Sequence, residues 1–381
     1  MPKPILLVTE LYPPVVGGSA VLLEHVYGGL VGVDVTVMTA PSAERSHGSS
    51  SPRVVSAPID GTLRGLRPAA ALAQHLRLAS AIRKHARPPV VVHCARPLPE
   101  GAAGLFATLS SASRPYVCWA HGEDLAAAMT SREHAWLARR VCRNAAVMIA
   151  NSHFTSRMVQ GLGVSESHLR VIHPGVDPAR FRPDVAPSTL VARAGRTGLV
   201  LLTVGRLQRR KGHDVVIQAI AALRHDLPDL LYVIAGNGAE QPRLQALADS
   251  LGVSGQVRFL GVVPDAELPA LYTACDIFVM PNRDDGHDLE GFGIVFLEAA
   301  AAERPTIGGR SGGAPEAIAD QETGLVVDGA SPDEVGRAIR TLATSADLRS
   351  RMGGAGRARV GQSFTWAHAS ARLQALHEEM S

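Results

Sequence analysis

The 381-residue sequence is poor in aromatic residues, which make up 4% of it, and it contains only four cysteines. The cysteines show no Cys-x-x-Cys spacing, which argues against zinc sites and disulfides and favours buried thiols. No apolar run reaches the ~18 residues that a membrane-spanning helix requires. The residues after Met1 turn polar too soon for a signal peptide and are typical of a first strand. We therefore expect a cytoplasmic protein.

The sequence also lacks the Gly-x-Gly-x-x-Gly fingerprint after its first predicted strand, which argues against a nicotinamide-dependent dehydrogenase. Gly236 and Gly238 follow a later strand, but the third glycine is missing. Aromatic residues are not interleaved with the basic ones, so nucleic-acid binding is not expected.

Charge is distributed unevenly along the chain. Residues 1–187 contain 19 Lys and Arg against 12 Asp and Glu, and the remainder contains 19 against 23. Residues 61–90 have no acidic residue but six basic ones, Arg64, Arg67, Arg77, Arg83, Lys84 and Arg87. A basic, partly apolar helix can rest on anionic lipid headgroups, and the alternative is a solvated helix face.

Strand-like runs alternate with helical patterns in two series, which predicts parallel sheets with helices on both faces. The first series has runs at Ile5–Thr9, Val33–Thr39, Val90–His93, Tyr116–Trp119, Val147–Ala150 and Arg170–His173, with helices such as Ala69–Ala86 and His134–Arg143. The second has runs at Leu199–Val204, Leu231–Ala235, Gln256–Leu260, Ile277–Met280, Pro305–Ile307 and Leu325–Val327. We expect two doubly wound, Rossmann-like α/β domains, residues 1–187 and 188–363, facing each other across a cleft. Residues 364–381 are predicted to form a last helix that packs across the domain junction.

Two carboxylates eight positions apart, Glu290 and Glu298, bracket a Gly-Phe-Gly turn and an apolar run. The pattern predicts a loop followed by a buried helix, with Glu298 a little over two turns away at about 3.6 residues per turn. The start of a helix presents free N–H groups and a positive dipole end, which suit a phosphate or a sugar. Helix capping is the structural alternative.

Two basic residues, Arg206 and Lys211, follow the predicted strand that ends at Val204. They place a guanidinium and an ammonium group where a diphosphate would need neutralising. A basic surface loop is the alternative, and within it Arg209 and Arg210 are expected to be solvated.

Other candidate residues carry weaker signals. Gly17 and Gly18 precede the first helix, and Gly312 and Gly313 precede a later one, so both pairs allow close backbone approach to a ligand. His121 follows a strand and could act as a donor or proton shuttle, although a lone histidine is more often structural. The acidic run 284–288 is interpreted as a polar lead-in to Glu290 rather than a metal site.

Together these residues resemble the family 4 retaining glycosyltransferases of the GT-B fold, over nearly the whole chain. Glu290 and Glu298 resemble the paired-glutamate motif, and Gly205–Arg206 with Lys211–Gly212 resemble the phosphate-binding pair. Residues 151–152 and 173–177 resemble the interdomain segments. The resemblance implies that the donor sugar is bound by Glu290 through its hydroxyl groups, lies in a pocket lined by Phe292, Gly293 and Ile294, and has His121 near its reacting carbon. It implies that Arg206 and Lys211 bind the diphosphate and that Gly18 lies close to it. It also implies that Glu298 binds the ribose, with Arg258 and Val263 near the base.

Within the family the chain is most similar to mannosyltransferases that act on phosphatidylinositol mannosides. This implies a GDP-mannose donor, an inositol-lipid acceptor bound by the N-terminal domain, no cofactor and no metal. The basic 61–90 segment is the candidate for peripheral contact with the inner membrane face. The alternatives are a UDP- or other GDP-sugar transferred to a small soluble acceptor, a sugar-binding protein without catalysis, and, by fold analogy alone, a phosphorylase or epimerase.

Overall fold

The computed structural model describes residues 2–15, 17–41, 52–67, 69–108, 115–193, 195, 198–286 and 288–380. The chain divides into two compact units, which are described separately below. Unit 1 comprises Met1–Pro174 and Trp366–Ser381, and unit 2 comprises Gly175–Thr365.

Unit 1 is built on a seven-stranded parallel sheet of order β3-β2-β1-β4-β5-β6-β7. The strands are β1 Ile5–Val8, β2 Val35–Thr39, β3 Arg53–Ser56, β4 Val91–Cys94, β5 Tyr116–Ala120, β6 Val147–Ala150 and β7 Leu169–Val171. The helices are α1 Gly18–Gly28, α2 Ala69–His85, α3 Ala102–Thr108, α4 Glu123–Met129, α5 Arg132–Asn144 and α6 His153–Gly161. Short turns of other helix types lie at Pro97–Gly101 and Glu166–His168.

Unit 2 has a six-stranded parallel sheet of order β10-β9-β8-β11-β12-β13. Its strands are β8 Val200–Val204, β9 Leu231–Ala235, β10 Val257–Gly261, β11 Ile277–Met280, β12 Thr306–Gly309 and β13 Gly324–Val327. Its helices are α7 Thr189–Arg193, α8 His213–Leu223, α9 Gln241–Ser250, α10 Leu268–Ala274, α11 Ile294–Ala301, α12 Ala314–Ala317, α13 Pro332–Ala343 and α14 Ala346–Ser363. Single 3₁₀ turns lie at Arg209–Lys211, Ser254–Gln256 and Asp265–Glu267.

The central strands of both sheets are buried on both faces, as expected for parallel sheets covered by helices. β1, β4 and β5 are buried along their whole length, and so are β9 and β11. Every predicted strand overlaps an observed one, which confirms the predicted fold class. All four cysteines are buried free thiols, also as predicted.

The chain passes from unit 1 to unit 2 at Pro174, whereas the sequence led us to place the boundary after residue 187. The intervening segment packs on unit 2 because Phe181 lies edge-on to Tyr272, with ring centroids 5.7 Å apart. Arg357 adds a hydrogen bond from Nη1 to the carbonyl oxygen of Phe181, at 3.2 Å. These contacts give residues 175–187 to unit 2.

The last helix, α15 Trp366–Glu379, belongs to unit 1. Leu373 and Leu376 are buried in the same cluster as Tyr27 of α1 and Trp119 of β5. Its Trp366 ring stacks on His25, with centroids 4.7 Å apart. The apolar stripe expected from the sequence therefore covers one face of the first sheet. None of the helices in the described ranges is long and apolar enough to cross a membrane.

Candidate active site

The strand order of unit 2 creates a topological switch point between β8 and β11. From β8 the chain builds the sheet outward through β9 and β10, and from β11 it builds in the opposite direction through β12 and β13. The loops that follow β8 and β11 therefore part at the carboxyl edge of the sheet. In open α/β sheets this crevice is where ligands bind.

Glu290 lies in the loop after β11 and is held by two cations from the loop after β8. Its Oε2 atom is 2.5 Å from Nζ of Lys211 and 2.6 Å from Nη1 of Arg210. The Glu290 side chain is 11% exposed, and its Oε1 atom has no hydrogen-bond partner within the described part of the chain. One carboxylate oxygen is thus fixed, and the other is open to a ligand.

The two cations keep Glu290 ionised. Burial alone would raise the pKa of this carboxyl group, but Lys211 and Arg210 outweigh it and lower the pKa to about 2. At neutral pH the group is therefore an obligate hydrogen-bond acceptor, as is needed to bind hydroxyl groups.

Arg210 contradicts the expectation that both arginines before Lys211 are solvated. Arg209 is exposed, but Arg210 is only 4% exposed. The guanidinium of Arg210 is drawn inward by two carboxylates, because its Nε atom also lies 2.6 Å from Oδ1 of Asp288. Arg210 and Asp288 are the functional candidates that the sequence analysis missed.

The loop after β12 closes on Glu290 through two glycines. The N–H of Gly313 donates to the carbonyl oxygen of Glu290 at 2.9 Å. Gly312 has a φ of 67°, and a Cβ atom there would lie 2.1 Å from the same carbonyl oxygen. The close approach expected of this glycine pair is therefore made to the Glu290 loop.

Helix α11 begins beside Glu290. Gly293 is its N-cap, with a φ of 90°, and Ile294 is its first residue. Phe292 is 2% exposed and packs on Phe364, so only its backbone is available to a ligand. A helix start leaves N–H groups without intrahelical partners, and the predicted binding of a phosphate or sugar at this turn stays a prediction.

Glu298 lies on α11 and accepts a hydrogen bond from the hydroxyl group of Tyr272, at 2.6 Å. Burial raises the pKa of Glu298 to about 7, although the Tyr272 bond opposes the rise. Arg180 further lowers this pKa and Asp265 raises it, so both lie within electrostatic reach of Glu298. Arg180 and Asp265 form an ion pair at 2.6 Å.

The remaining predicted donor residues of unit 2 fall at different places. Arg206 is exposed immediately beyond β8, at the same carboxyl edge. Val263 follows the end of β10. Arg258 lies near the start of that strand, where Nη1 donates to the carbonyl oxygens of Ser254 and Val257 at 2.9 and 3.0 Å. The structure therefore groups Arg206 and Val263 with the carboxyl edge but not Arg258.

The acidic run before Glu290 contains a local turn and an ion pair among its described residues. Asp284 accepts a hydrogen bond from the N–H of Gly286 at 2.8 Å, and Asp288 pairs with Arg210. His287 lies outside the described residues. These contacts are those of a loop that leads into Glu290.

In unit 1, His121 is buried at the end of β5. Its Nε2 atom lies 2.9 Å from the carbonyl oxygen of Ala95, and its ring stacks on Trp119. That contact identifies Nε2 as the protonated nitrogen, whereas Nδ1 has no partner among the residues that the structure describes. Burial lowers the pKa of His121, so its ring is neutral at pH 7 with a free acceptor atom. Gly18 is exposed at the first position of α1.

The two parallel sheets with their strand orders define the class of α/β proteins with two Rossmann-like domains. Two family models match most of the chain: residues 16–180 match "Glycosyltransferase Family 4", and residues 193–359 match "Glycosyl transferases group 1". The chain belongs to this family of glycosyltransferases. It is therefore an enzyme, and the predicted class is confirmed.

Two curated relatives resemble the chain over nearly its full length. Both are named GDP-mannose-dependent alpha-(1-6)-phosphatidylinositol monomannoside mannosyltransferase. The protein of Mycobacterium tuberculosis H37Rv is 35% identical over 97% of this chain and 96% of its own length. That of Mycolicibacterium smegmatis is 36% identical over 98% and 97%. HepE of Anabaena in complex with UDP has a TM-score of 0.80 at 20% identity, and the match covers 99% of this chain and all of that one. This likeness confirms the GT-B fold.

Proposed function

We propose that this chain transfers mannose from GDP-mannose to a hydroxyl group of an inositol lipid, with retention of anomeric configuration and without a metal ion. The observation that carries the proposal is the Glu290 carboxylate at the switch point of unit 2. Lys211 and Arg210 hold one of its oxygens, and the other is open to the hydroxyl groups of a hexose.

The remaining donor contacts follow from the same edge of the sheet. Arg206 and Lys211 would neutralise the diphosphate, and the first turn of α11 would receive sugar hydroxyls on its N–H groups. Glu298, with its oxygen on Tyr272, would accept hydrogen bonds from the ribose. Asp265 is a carboxylate near Glu298, and a carboxylate suits the adjacent N–H donors of guanine.

Mannose and guanine are also favoured by the two mycobacterial relatives, whose names specify GDP-mannose. The same names specify a phosphatidylinositol mannoside acceptor. We assign binding of the acceptor substrate to unit 1, where the Nδ1 atom of His121 can accept a hydrogen bond.

Retention would follow from attack on the same face that the diphosphate leaves. The bond between the anomeric carbon and the phosphate oxygen breaks, and the acceptor oxygen bonds to the same carbon. The acceptor proton passes to the departing phosphate oxygen, which gives the mannoside and GDP. Arg206, Lys211 and helix N–H groups would stabilise the leaving charge, so no metal ion is required. Full activity in a chelator is the expected result, and activity restored only by Mg²⁺ would refute metal independence.

A lipid acceptor requires contact with a membrane surface, and α2 has a suitable outer face. Leu72 and Leu76 are 39% and 51% exposed, one turn apart, and Arg77 and Lys84 are exposed on the same helix. Exposed leucines beside basic residues are typical of helices that lie in the headgroup region. We propose that α2 within the basic 61–90 segment is the membrane contact.

A thermal-shift panel of GDP, UDP, ADP and their sugar conjugates tests the donor, followed by product analysis with phosphatidylinositol mannoside as acceptor. A ligand at 100 times its Kd adds about 2.7 kcal/mol of stability. A shift confined to GDP compounds with a mannosylated product supports the proposal. A shift confined to UDP compounds would favour the alternative, transfer of another sugar to a small soluble acceptor.

A further inference from the structure

Arg210 is anchored on both sides of the switch point. Its side chain spans Asp288 and Glu290, and its carbonyl oxygen accepts a hydrogen bond from the N–H of Arg283 at 2.8 Å. Arg283 is itself fixed, because its two terminal nitrogens each lie 3.0 Å from an oxygen of Asp214. The Arg210 guanidinium therefore has a defined position before any ligand binds.

Lys211 and Arg210 share Oε2 of Glu290 but differ in what else they can do. Lys211 has a compact ammonium group, and in the proposed function part of its hydrogen bonding goes to the diphosphate. Arg210 has a planar, forked guanidinium group whose Nε and Nη1 atoms each lie 2.6 Å from a carboxylate oxygen, in ion pairs with Asp288 and Glu290. When the diphosphate of the donor takes hydrogen bonds from Lys211, Arg210 still restrains Glu290.

We propose that Arg210 is a positioning residue: its guanidinium bridges Asp288 and Glu290 and aims Oε1 of Glu290 at the hexose hydroxyl groups. The identity of the hexosyl ligand rests on the proposed function, but the bridge itself is present without ligand. The proposal explains why an arginine adjacent to the exposed Arg209 is nearly fully buried.

Arg209 offers a matched control because it is the neighbouring arginine of the same turn and is exposed. The variants are Arg210→Gln, Arg210→Lys and Arg209→Gln in the full chain. With GDP-mannose, Arg210→Gln is expected to lose about 10²-fold in kcat/KM, the scale for misplacing a substrate-contacting group. Arg210→Lys keeps the charge without the fork and should recover part of the loss, whereas Arg209→Gln should retain wild-type activity.

A ligand-free measurement separates positioning from general stabilisation. The side-chain carboxyl carbon of Glu290 can be followed by carbon-13 NMR, with Glu290→Gln identifying the signal. Removal of Arg210 leaves Lys211 as the cation that pairs with Glu290 among the described residues, so the titration midpoint of Glu290 should rise by about 1–3 pH units from about 2. It should not move in Arg209→Gln. A midpoint unchanged in Arg210→Gln would overturn the proposal.

The two proposals fail in different ways. If wild-type protein transfers no mannose from GDP-mannose, the proposed function fails, and the NMR titration still decides the role of Arg210. If Arg210→Gln does not fold, Asp288→Asn tests the bridge instead, because it removes the anchor on Nε and leaves Glu290 paired. Asp288→Asn should raise the KM for the donor, and wild-type kinetics in that variant would refute the bridge.

Discussion

The hydroxyl group of Tyr272 donates a hydrogen bond to Oε2 of Glu298, with an oxygen–oxygen distance of 2.6 Å. Burial raises the pKa of Glu298 from 4.5 to about 7. A tyrosine on α10 therefore helps to keep a carboxylate on α11 ionised near neutral pH. Because an ionised carboxylate accepts hydrogen bonds from hydroxyl groups best, the proposed ribose contact of Glu298 would make donor binding depend on pH.

Substitution Tyr272→Phe should raise the pKa of Glu298 further. A raised pKa means that the folded state binds the Glu298 proton more tightly than the unfolded state. The stability that proton binding adds to the folded state is therefore lost as pH rises from about 4.5 to 7. In the variant the loss extends to higher pH. We expect a deficit of about 1.5–3 kcal/mol at pH 8.5 that shrinks at pH 5, measured by urea unfolding. The double variant with Glu298→Gln should lack this pH dependence.

Gly312→Ala should displace the Glu290 loop. The added Cβ would meet the Glu290 carbonyl oxygen at 2.1 Å, in a backbone region that costs an alanine roughly 1–3 kcal/mol. A displacement worth about 1.4 kcal/mol of donor binding weakens Kd tenfold. Calorimetry with GDP-mannose measures this. Gly354→Ala is the control, because its Cβ would meet no atom within 4 Å on α14 and should stabilise the helix by about 0.5–1 kcal/mol.

Arg206→Ala should lower turnover by roughly 10²–10³-fold, the scale for removing a preorganised charge stabiliser. Steady-state kinetics with GDP-mannose measures this, and Arg209→Ala, in the same loop, should leave turnover unchanged. Near-normal turnover in Arg206→Ala would remove Arg206 from its assigned role on the diphosphate.

Asp214→Asn should destabilise unit 2 by about 3 kcal/mol, because it leaves the half-buried Arg283 without its carboxylate. Burial would raise the pKa of Asp214, but Arg283 and Arg243 outweigh it and lower the pKa below 3.8. The stability that the ionised Asp214 gives the folded state is therefore present above about pH 3.8 and lost as pH falls below it. Urea unfolding at pH 7 and pH 3 should show the deficit shrinking in acid. Asp226→Asn breaks an exposed pair with Arg340 and should cost about 0.2–1 kcal/mol.

Leu72→Glu with Leu76→Glu should weaken binding to vesicles that contain phosphatidylinositol. Both leucines are exposed on α2, and the added charges remove apolar contact and oppose the anionic surface. Vesicle sedimentation measures the loss. Val31→Glu changes a residue that is 80% exposed elsewhere on unit 1 and should bind as wild type does. Equal vesicle binding by the Leu72→Glu, Leu76→Glu double variant and the wild type would exclude α2 as the membrane contact.

The buried strands could be predicted from sequence because each is a short apolar run between turn residues. Strand β3 was missed, since its residues Arg53 to Ser56 are partly or fully exposed at the sheet edge and form no apolar run. Edge strands of this kind are recognised by pairing, here with β2, and pairing is a property of the fold rather than of the local sequence.

The same limit applies to the site. The spacing of Glu290 and Glu298 correctly indicated a loop and a helix, because helix periodicity is local. Arg209 and Arg210 are identical in type and adjacent, and nothing local distinguishes them. Arg210 is buried by carboxylates about 80 positions further along the chain. Tyr272 likewise meets Glu298 across 26 positions.

Helix α15 has a consequence for the order in which the protein can mature on the ribosome. Its Leu373 and Leu376 complete the apolar cluster that contains Tyr27 and Trp119, yet they are translated after the whole of unit 2. Domains generally fold as units during synthesis, N-terminal first. Here unit 2 can fold first, while the apolar cluster of unit 1 lacks its last helix until α15 emerges from the ribosome.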